Sequence, residues 1–190
     1  KDDEKLLKIA NSNHSYKYDS KNVGEVEFKN QYIDTHTDLI INLPLVDADL
    51  IRSRNFKVVV DAVNSTGGIA VPNLLNKLGV EVVKLYCDPN GEFPHNPEPL
   101  KENLTDLSKL VIKEQADFGI VVDPDVDRLA FVSENGEVFG EEYTLVACAD
   151  YFLKNKPGIT VSNLSSSRAL KDITESYGCE YFSSAVGEVN

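Results

Sequence analysis

Apolar and polar positions along the first two thirds of the chain predict alternating strands and helices. Two apolar runs, Phe56–Val63 and Phe118–Val122, are rich in β-branched residues without polar alternation, which predicts strands buried on both faces. Between them, apolar residues at helical spacing predict helices over Ile69–Leu78 and Leu100–Glu114, and Val80–Leu85 predicts another strand. The first strand, helix and second strand form a βαβ unit, which implies a parallel pair with a right-handed crossover.

The last third of the chain repeats this alternation. Phe131–Val138 contains the turn sequence Asn135-Gly136 and predicts a β-hairpin with a type I′ turn. The elements predicted after the hairpin are a helix over Leu145–Leu153, a strand over Ile159–Ser162, a helix over Ala169–Tyr177 and a strand from Glu180. Near the start of the chain, Val23–Phe28 alternates in the manner of an exposed strand. The pattern therefore predicts a second strand–helix–strand unit after the hairpin.

Composition and charge narrow the possible functions. The chain has 190 residues, of which 42% are hydrophobic, so it can bury a sizeable core. Its net charge of −12 argues against nucleic acid and anionic membrane surfaces as partners, but not against a small anionic substrate at a local cationic site. No apolar run approaches the roughly 20 residues of a transmembrane helix. Three widely spaced cysteines without a C-x-x-C motif predict reduced thiols in a cytoplasmic protein.

Three aspartates, Asp123, Asp125 and Asp127, directly follow the predicted strand Phe118–Val122. Open α/β sheets bind their ligands at the carboxyl ends of strands, so this is the expected position of a site. Bare carboxylates ~4 Å apart repel by about 1 kcal/mol in water and about 4 kcal/mol at an effective dielectric of 20, which favours a cation among them. An all-oxygen ligand set favours Mg2+ before Ca2+ or Mn2+. Arg128 adds a permanent positive charge suited to a phosphate or carboxylate.

Other interpretations of the same aspartates are possible. A generic D-x-D after a strand is most often a solvated acidic turn. An EF-hand loop starting at Asp123 would place Glu134 at its twelfth position, but it needs glycine where Arg128 stands, and a helix instead of a strand before it. We reject it. Asp123 to Val126 also fits the haloacid-dehalogenase phosphatase motif D-x-D-[TV], with Asp123 as nucleophile, although that motif normally lies on the first strand of its domain.

Two further loops follow predicted strands. Asn64–Gly68 leads into a helix without a G-x-G-x-x-G or GK[ST] pattern, which predicts a tight turn in which Ser65 or Thr66 caps the helix, in preference to a phosphate site. Asp88–Pro99 is a Pro-rich loop. His95 within it has no partner nearby in sequence, which favours a scaffolding role over general acid catalysis.

Two motifs occur in the order and at the spacing found in one enzyme family. Asp123–Arg128 has the pattern D-x-D-x-D-R, and Gly91–Pro99 has the sequence GEFPHNPEP. Both resemble the second domain of the α-D-phosphohexomutases, the phosphoglucomutase/phosphomannomutase family. The resemblance implies an α/β fold of three-layer α/β/α domains with a mixed, mainly parallel sheet. It also implies that residues 1–30 are the tail of domain I and a linker, 31–138 domain II with the metal-binding loop, and 139–190 the N-terminal part of domain III.

The resemblance further implies an activity. Family members interconvert hexose 1-phosphates and hexose 6-phosphates, such as those of glucose and mannose, through a phosphoserine and a bisphosphate intermediate. Carried onto this chain, Asp123, Asp125 and Asp127 hold Mg2+ together with a phosphoserine oxygen, and Arg128 faces a phosphate. No T-[AS]-S-H-N-P phosphoserine loop occurs in these residues. We therefore expect an excerpt of a longer mutase, inactive without the remaining domains of the same chain.

One departure from the family pattern lies near the end of the chain. Many members have a lysine at the position that Val189 occupies here, so no basic catalytic role is carried over to it. Two alternatives to a mutase remain open at this point. One is a phosphatase of the haloacid-dehalogenase type, and the other is a non-catalytic domain that binds a divalent ion.

Overall fold

The computed structural model describes residues 2–12 and 24–187, and only the backbone of Glu141. The chain forms two compact units, residues 1–30 and 31–190, and each is described by itself. In the first unit, helix α1 spans Asp2–Ala10. Residues 24–30 form neither helix nor strand. The exposed strand predicted over Val23–Phe28 is therefore wrong for the described part of that segment, and Val189 lies outside the described residues.

A five-stranded sheet is the centre of the second unit. Its strands are β1 (Lys57–Asp61), β2 (Glu81–Leu85), β3 (Phe118–Val122), β4 (Leu129–Ser133) and β5 (Val138–Phe139). The spatial order is β2-β1-β3-β4-β5, in which β2, β1 and β3 run parallel and β4 and β5 are antiparallel additions. The predicted parallel pair of β1 and β2 is confirmed, and the strand that precedes the aspartates is the middle one of the sheet.

Helices cover both faces of this sheet. They are α2 (Tyr32–Ile41), α3 (Ala48–Ser53), α4 (Gly67–Lys77) and α5 (Thr105–Glu114), the last preceded by a 3-10 turn at Lys101–Asn103. Because side chains alternate along a strand, Val58 and Val60 pack on the face with α4, whereas Val59 packs against α5. All three valines are fully buried. Burial on both faces explains the continuous apolar runs of β1 and β3, and it confirms the predicted three-layer α/β/α fold.

The remaining elements form a smaller layered arrangement. Helix α6 (Glu141–Asn155) leads to strand β6 (Thr160–Asn163), helix α7 (Ala169–Ser176) and strand β7 (Tyr181–Ser184). β6 and β7 pair in parallel as a separate two-stranded sheet, which confirms the second strand–helix–strand unit. Neither strand contains a fully buried residue, in contrast to β1 and β3.

The hairpins differ in detail from the prediction. β4 begins at Leu129 and pairs with β3 from Val122↔Leu129 onward, so the aspartates lie in a hairpin loop that the sequence did not predict. In the next turn, Gly136 has φ +81°, but Asn135 is not left-handed, so the predicted type I′ turn is wrong. Among the described helices, none combines the length and apolar character needed to cross a membrane.

Candidate metal and phosphate site

The metal loop, Asp123–Arg128, connects the carboxyl end of β3 to the start of β4. Asp123 is buried beneath it, with 7% of its surface exposed. Its Oδ1 accepts a hydrogen bond from the backbone N–H of Arg128 at 3.0 Å, and its carbonyl oxygen accepts one from the N–H of Val126 at 3.2 Å. The first residue of the loop therefore closes the turn with one carboxylate oxygen.

The three aspartates predicted as metal ligands converge. One carboxylate oxygen each of Asp123, Asp125 and Asp127 lies within 4.8 Å of the other two, and the latter two residues are exposed. Ligand oxygens around an octahedral Mg2+ at 2.0–2.1 Å lie about 3 Å apart in cis and about 4.2 Å apart in trans. A small inward movement of two exposed side chains brings the cluster to these distances. The donor set and its spacing thus fit a hard divalent cation.

Two hydroxyl groups hold the metal loop from below. Ser65 Oγ donates to the carbonyl oxygen of Pro124 at 2.5 Å, and Thr66 Oγ1 approaches the same oxygen at 3.3 Å. Thr66 occupies the N-cap position of α4 but forms no side-chain cap. The predicted capping role of these residues is therefore wrong, because their hydroxyls bind a carbonyl 59 and 58 positions away in sequence.

The two glycines that follow allow the first turn of α4 to approach two loops closely. A Cβ on Gly67 would lie 2.5 Å from Val122 Cγ2 and 3.5 Å from Val126 Cγ2, on the side of the metal loop. A Cβ on Gly68 would lie 2.4 Å from the carbonyl oxygen of Cys87, on the side of the segment that follows β2. The Gly-rich turn is thus required by close packing at the carboxyl edge of the sheet.

Arg128 lies at the end of the metal loop with 51% of its side chain exposed. Its guanidinium Nη1 forms an ion pair with Glu98, and its Nε lies 4.0 Å from Asp127 Oδ1. Glu98 belongs to the Pro-rich loop Asp88–Pro99, which is called the PE loop below. Arg128 therefore joins the two loops, and its role toward a phosphate stays a prediction.

Asn64 anchors the first half of the PE loop. Its side-chain Nδ2 donates to the carbonyl oxygen of Glu92 at 3.0 Å, its Oδ1 accepts from the N–H of Asp88 at 3.3 Å, and its carbonyl accepts from the N–H of Gly91 at 3.0 Å. Asn64 has φ +56°, a left-handed conformation that asparagine tolerates better than most residues. Val63 and Tyr86 beside it are also left-handed. Such strained residues often cluster at functional sites.

The second half of the PE loop is anchored by a buried pair that sequence reasoning missed. His95 Nε2 lies 3.0 Å from Oδ2 of Asp61, the last residue of β1, and the two side chains are only 15% and 1% exposed. Burial raises the pKa of the Asp61 carboxyl, against the lowering effect of hydrogen bonds from Val63 and His95. The only sequence signal was an aspartate ending an otherwise apolar strand.

Comparison with known proteins agrees with this fold. The family described as phosphoglucomutase/phosphomannomutase, alpha/beta/alpha domain II, matches residues 30–136, and domain III of the same family matches residues 140–190. The chain belongs to the phosphoglucomutase/phosphomannomutase family.

Individual relatives support the assignment of the chain to this family. A phosphoglucomutase/phosphomannomutase of Thermococcus kodakarensis is 36% identical over 169 residues, and a probable phosphoglucosamine mutase of Methanopyrus kandleri is 34% identical over 169 residues. Each alignment covers 88% of this chain and 36% of the relative. A crystal structure of a phosphoglucomutase/phosphomannomutase family protein from Burkholderia thailandensis superposes with a TM-score of 0.65 at 30% identity, covering 74% of this chain and 33% of that one. The chain thus spans about a third of the length of these phosphohexomutases.

Membership of the phosphohexomutase family argues against the phosphatase of the haloacid-dehalogenase type that the aspartate motif left open. The strand before the aspartates is the third in the chain, whereas the haloacid-dehalogenase motif normally lies on the first strand of its domain. A strand, not a helix, precedes the loop, which agrees with the rejection of an EF-hand.

Proposed function

We propose that the protein interconverts hexose 1-phosphate and hexose 6-phosphate by phosphoryl transfer, through a phosphoserine and a bisphosphate intermediate. The observation that carries this proposal is the convergence of three carboxylates on a hairpin loop at the carboxyl edge of the sheet, in a chain of this family. The relatives are named for phosphates of glucose, mannose and glucosamine, so hexose phosphates are the proposed substrate class. We extend the proposal to glucose and mannose phosphates as the first compounds to assay.

Each residue of the metal loop has a proposed task. Asp123, Asp125 and Asp127 hold Mg2+, with Asp123 fixed by its hydrogen bond from the Arg128 N–H. Bound there, Mg2+ would neutralise charge on the transferring phosphoryl group. Arg128 offers a guanidinium to a substrate phosphate, and its ion pair with Glu98 holds that guanidinium beside the metal loop.

The remaining requirements lie outside these residues. Phosphoryl transfer of this kind needs a phosphoserine, and the expected T-[AS]-S-H-N-P sequence does not occur in the chain. We therefore propose that this chain supplies the metal loop and that activity needs the other domains of the family. Nucleic acid and membranes are not among the proposed partners, in keeping with the net charge of −12.

The test is replacement of one metal ligand in the full-length protein. Asp125→Ala removes an exposed carboxylate, so the fold is kept while Mg2+ affinity falls and hexose-phosphate turnover drops by at least about 100-fold. Calorimetric titration of Mg2+ and a coupled mutase assay measure the two effects. Glu134→Ala is the matched control, since Glu134 is an exposed acidic residue in the next turn. Unchanged turnover in Asp125→Ala would exclude the proposed metal site.

A further inference from the structure

The buried pair of Asp61 and His95 has a geometry that requires a particular number of protons. His95 Nδ1 lies 2.7 Å from the carbonyl oxygen of Asn96, and its Nε2 lies 3.0 Å from Asp61 Oδ2. A carbonyl oxygen only accepts, so Nδ1 must carry a proton. The contact at Nε2 then needs a second proton, either on the ring or on the carboxyl. If the imidazole were neutral and Asp61 ionised, one of the two contacts would have no proton, and two lone pairs would face each other there.

A continuous set of contacts leads from this pair to the metal loop. The Asn96 side chain accepts from the N–H of Glu98 at 3.1 Å, and Glu98 pairs with the guanidinium of Arg128. The N–H of Arg128 in turn donates to Asp123 Oδ1 at 3.0 Å. The orientation of the Glu98 and Arg128 side chains therefore depends on how His95 fixes the second half of the PE loop.

The surroundings of the pair favour retention of the extra proton. The Tyr86 ring lies edge-on to His95 at 5.8 Å between centroids, and its hydroxyl donates to Asp106 at 2.9 Å. Burial raises the pKa of the nearby Cys87 thiol, against the lowering effect of the positive charge of Lys84. The negative charge of Asp106 adds to the effect of burial in raising the pKa of Asp61. Apart from His95 itself, the charge that acts on Asp61 is thus acidic.

We propose that Asp61 and His95 form a positioning pair that holds one shared proton and thereby fixes the PE loop, so that Glu98 presents Arg128 to the substrate phosphate. The role of Arg128 toward the phosphate rests on the proposed function, whereas the fixing of the loop does not. Neither residue is placed in contact with the reacting atoms. Their effect acts through Asn96, Glu98 and Arg128.

Because the pair holds the PE loop through a proton, the conformational order of this loop depends on pH. A group whose pKa is raised in the folded state stabilises that state below its unfolded pKa, and this contribution is lost as pH rises through the folded value. Loss of the shared proton removes one of the two His95 contacts. Because the pKa of the Asp61 carboxyl is raised, the PE loop is held while the pair keeps this proton and is released on the alkaline side of the titration of the pair.

Two variants separate the proton from the hydrogen bonds. Asp61→Asn replaces the carboxyl by an amide, whose NH2 donates to neutral His95 Nε2 and whose oxygen still accepts from the Val63 N–H, as Asp61 does at 3.0 Å. It keeps both contacts without a titrating proton. His95→Ala removes both contacts. His36→Ala is the control, because His36 is an exposed histidine on α2.

The measurements are amide hydrogen exchange and nitrogen NMR of labelled histidine, both on the full chain. The reporter amides are those of Glu98, bonded to Asn96, and Leu100, bonded to the Glu98 carbonyl at 2.8 Å. After correction for intrinsic rates, we expect exchange in the wild type to accelerate about 10- to 100-fold as pH rises through the titration of the pair, the value for loss of a hydrogen bond to a charged group. His95→Ala should exchange at the fast rate at every pH. Asp61→Asn should stay slow across the same range, with the His95 ring keeping its proton at Nδ1.

The outcomes distinguish this proposal from the proposed function. Slow, pH-independent exchange in both the wild type and His95→Ala would overturn the positioning pair, as would Asp61→Asn with the same pH dependence as the wild type. In the full-length protein, kcat/KM for hexose phosphate should lose its alkaline decline in Asp61→Asn, and His95→Ala should raise KM more than it lowers kcat. If the exchange and NMR results hold while no hexose phosphate is turned over, the proposed function fails and the loop-fixing pair stands.

Discussion

The metal loop and the PE loop lie side by side at the carboxyl edge of the sheet, but they are held in different ways. Asp123 at the start of the metal loop bonds the N–H groups of Val126 and Arg128, three and five residues later. The PE loop is anchored by Asn64 and Asp61, which lie 24 to 34 positions from their partners. The residues that carry the proposed chemistry are thus close together in sequence. The residues that anchor the PE loop lie at or just after the end of β1, far from their partners in sequence.

The two adjacent glycines of α4, Gly67 and Gly68, each pack on the side of a different one of these two loops. A Cβ on Gly67 meets a valine side chain beneath the metal loop, while a Cβ on Gly68 meets backbone atoms where the PE segment leaves β2. A side chain can shift by a few tenths of an ångström more easily than the backbone of a packed segment. The two positions therefore test the two loops separately.

The largest effect on stability is expected from Gly68→Ala. Its Cβ would lie 2.4 Å from the Cys87 carbonyl oxygen and 2.7 Å from the Cys87 Cα, so helix or loop must move. We expect a loss of about 3 kcal/mol in the free energy of unfolding, and about 1 kcal/mol for Gly67→Ala. Urea denaturation followed by circular dichroism measures both. Equal losses in the two variants would contradict the distinction between a yielding side chain and a fixed backbone.

A smaller effect is expected from Asn64→Ala, which cuts the long-range anchor of the PE loop. The variant loses two side-chain hydrogen bonds and places alanine at φ +56°. We expect a loss of about 2 kcal/mol, half from the bonds and half from the left-handed backbone.

Asn55→Ala provides the control for the backbone part of this loss. Asn55 is also left-handed, with φ +52°, but its side chain has only a 3.5 Å contact to the carbonyl of Ser53. Its substitution should cost about 1 kcal/mol. If both asparagine variants unfold at the same urea concentration, the side-chain bonds of Asn64 contribute nothing to the stability of the loop.

A smaller effect than that of Asn64→Ala is expected from Ser65→Ala, which removes a long-range support of the metal loop. Loss of the 2.5 Å bond to the Pro124 carbonyl should cost about 1 kcal/mol and weaken Mg2+ binding several-fold, since most of that loop holds itself. Thr66→Ala should have less effect, because its contact is 3.3 Å. Mg2+ titration of both variants gives the ranking. An effect of Ser65→Ala as large as that of Asp125→Ala would show that the loop depends on distant support.

Sequence prediction succeeded where a feature depends on neighbouring residues, and it failed where a feature depends on contacts between distant residues. The buried strand, the parallel unit and the grouping of the aspartates follow from runs of neighbouring residues, and the structure contains them. The predicted caps at Ser65 and Thr66 were wrong because both hydroxyls donate to the carbonyl oxygen of Pro124, an acceptor that only the folded chain brings near. His95 was assigned to scaffolding without a partner, and that partner is Asp61, 34 positions earlier.

The sequence by itself determined the α/β layering, the burial of both faces of the strand before Asp123 and the type of ion that three aspartates favour. These properties depend on side-chain period and on ligand chemistry, both of which are local. Only the tertiary structure decided that β3 and β4 close the metal loop as a hairpin, that Glu98 holds Arg128 and that Asp61 binds His95. These contacts join loops and strand ends that are distant in sequence, and the folding of the sheet brings them together.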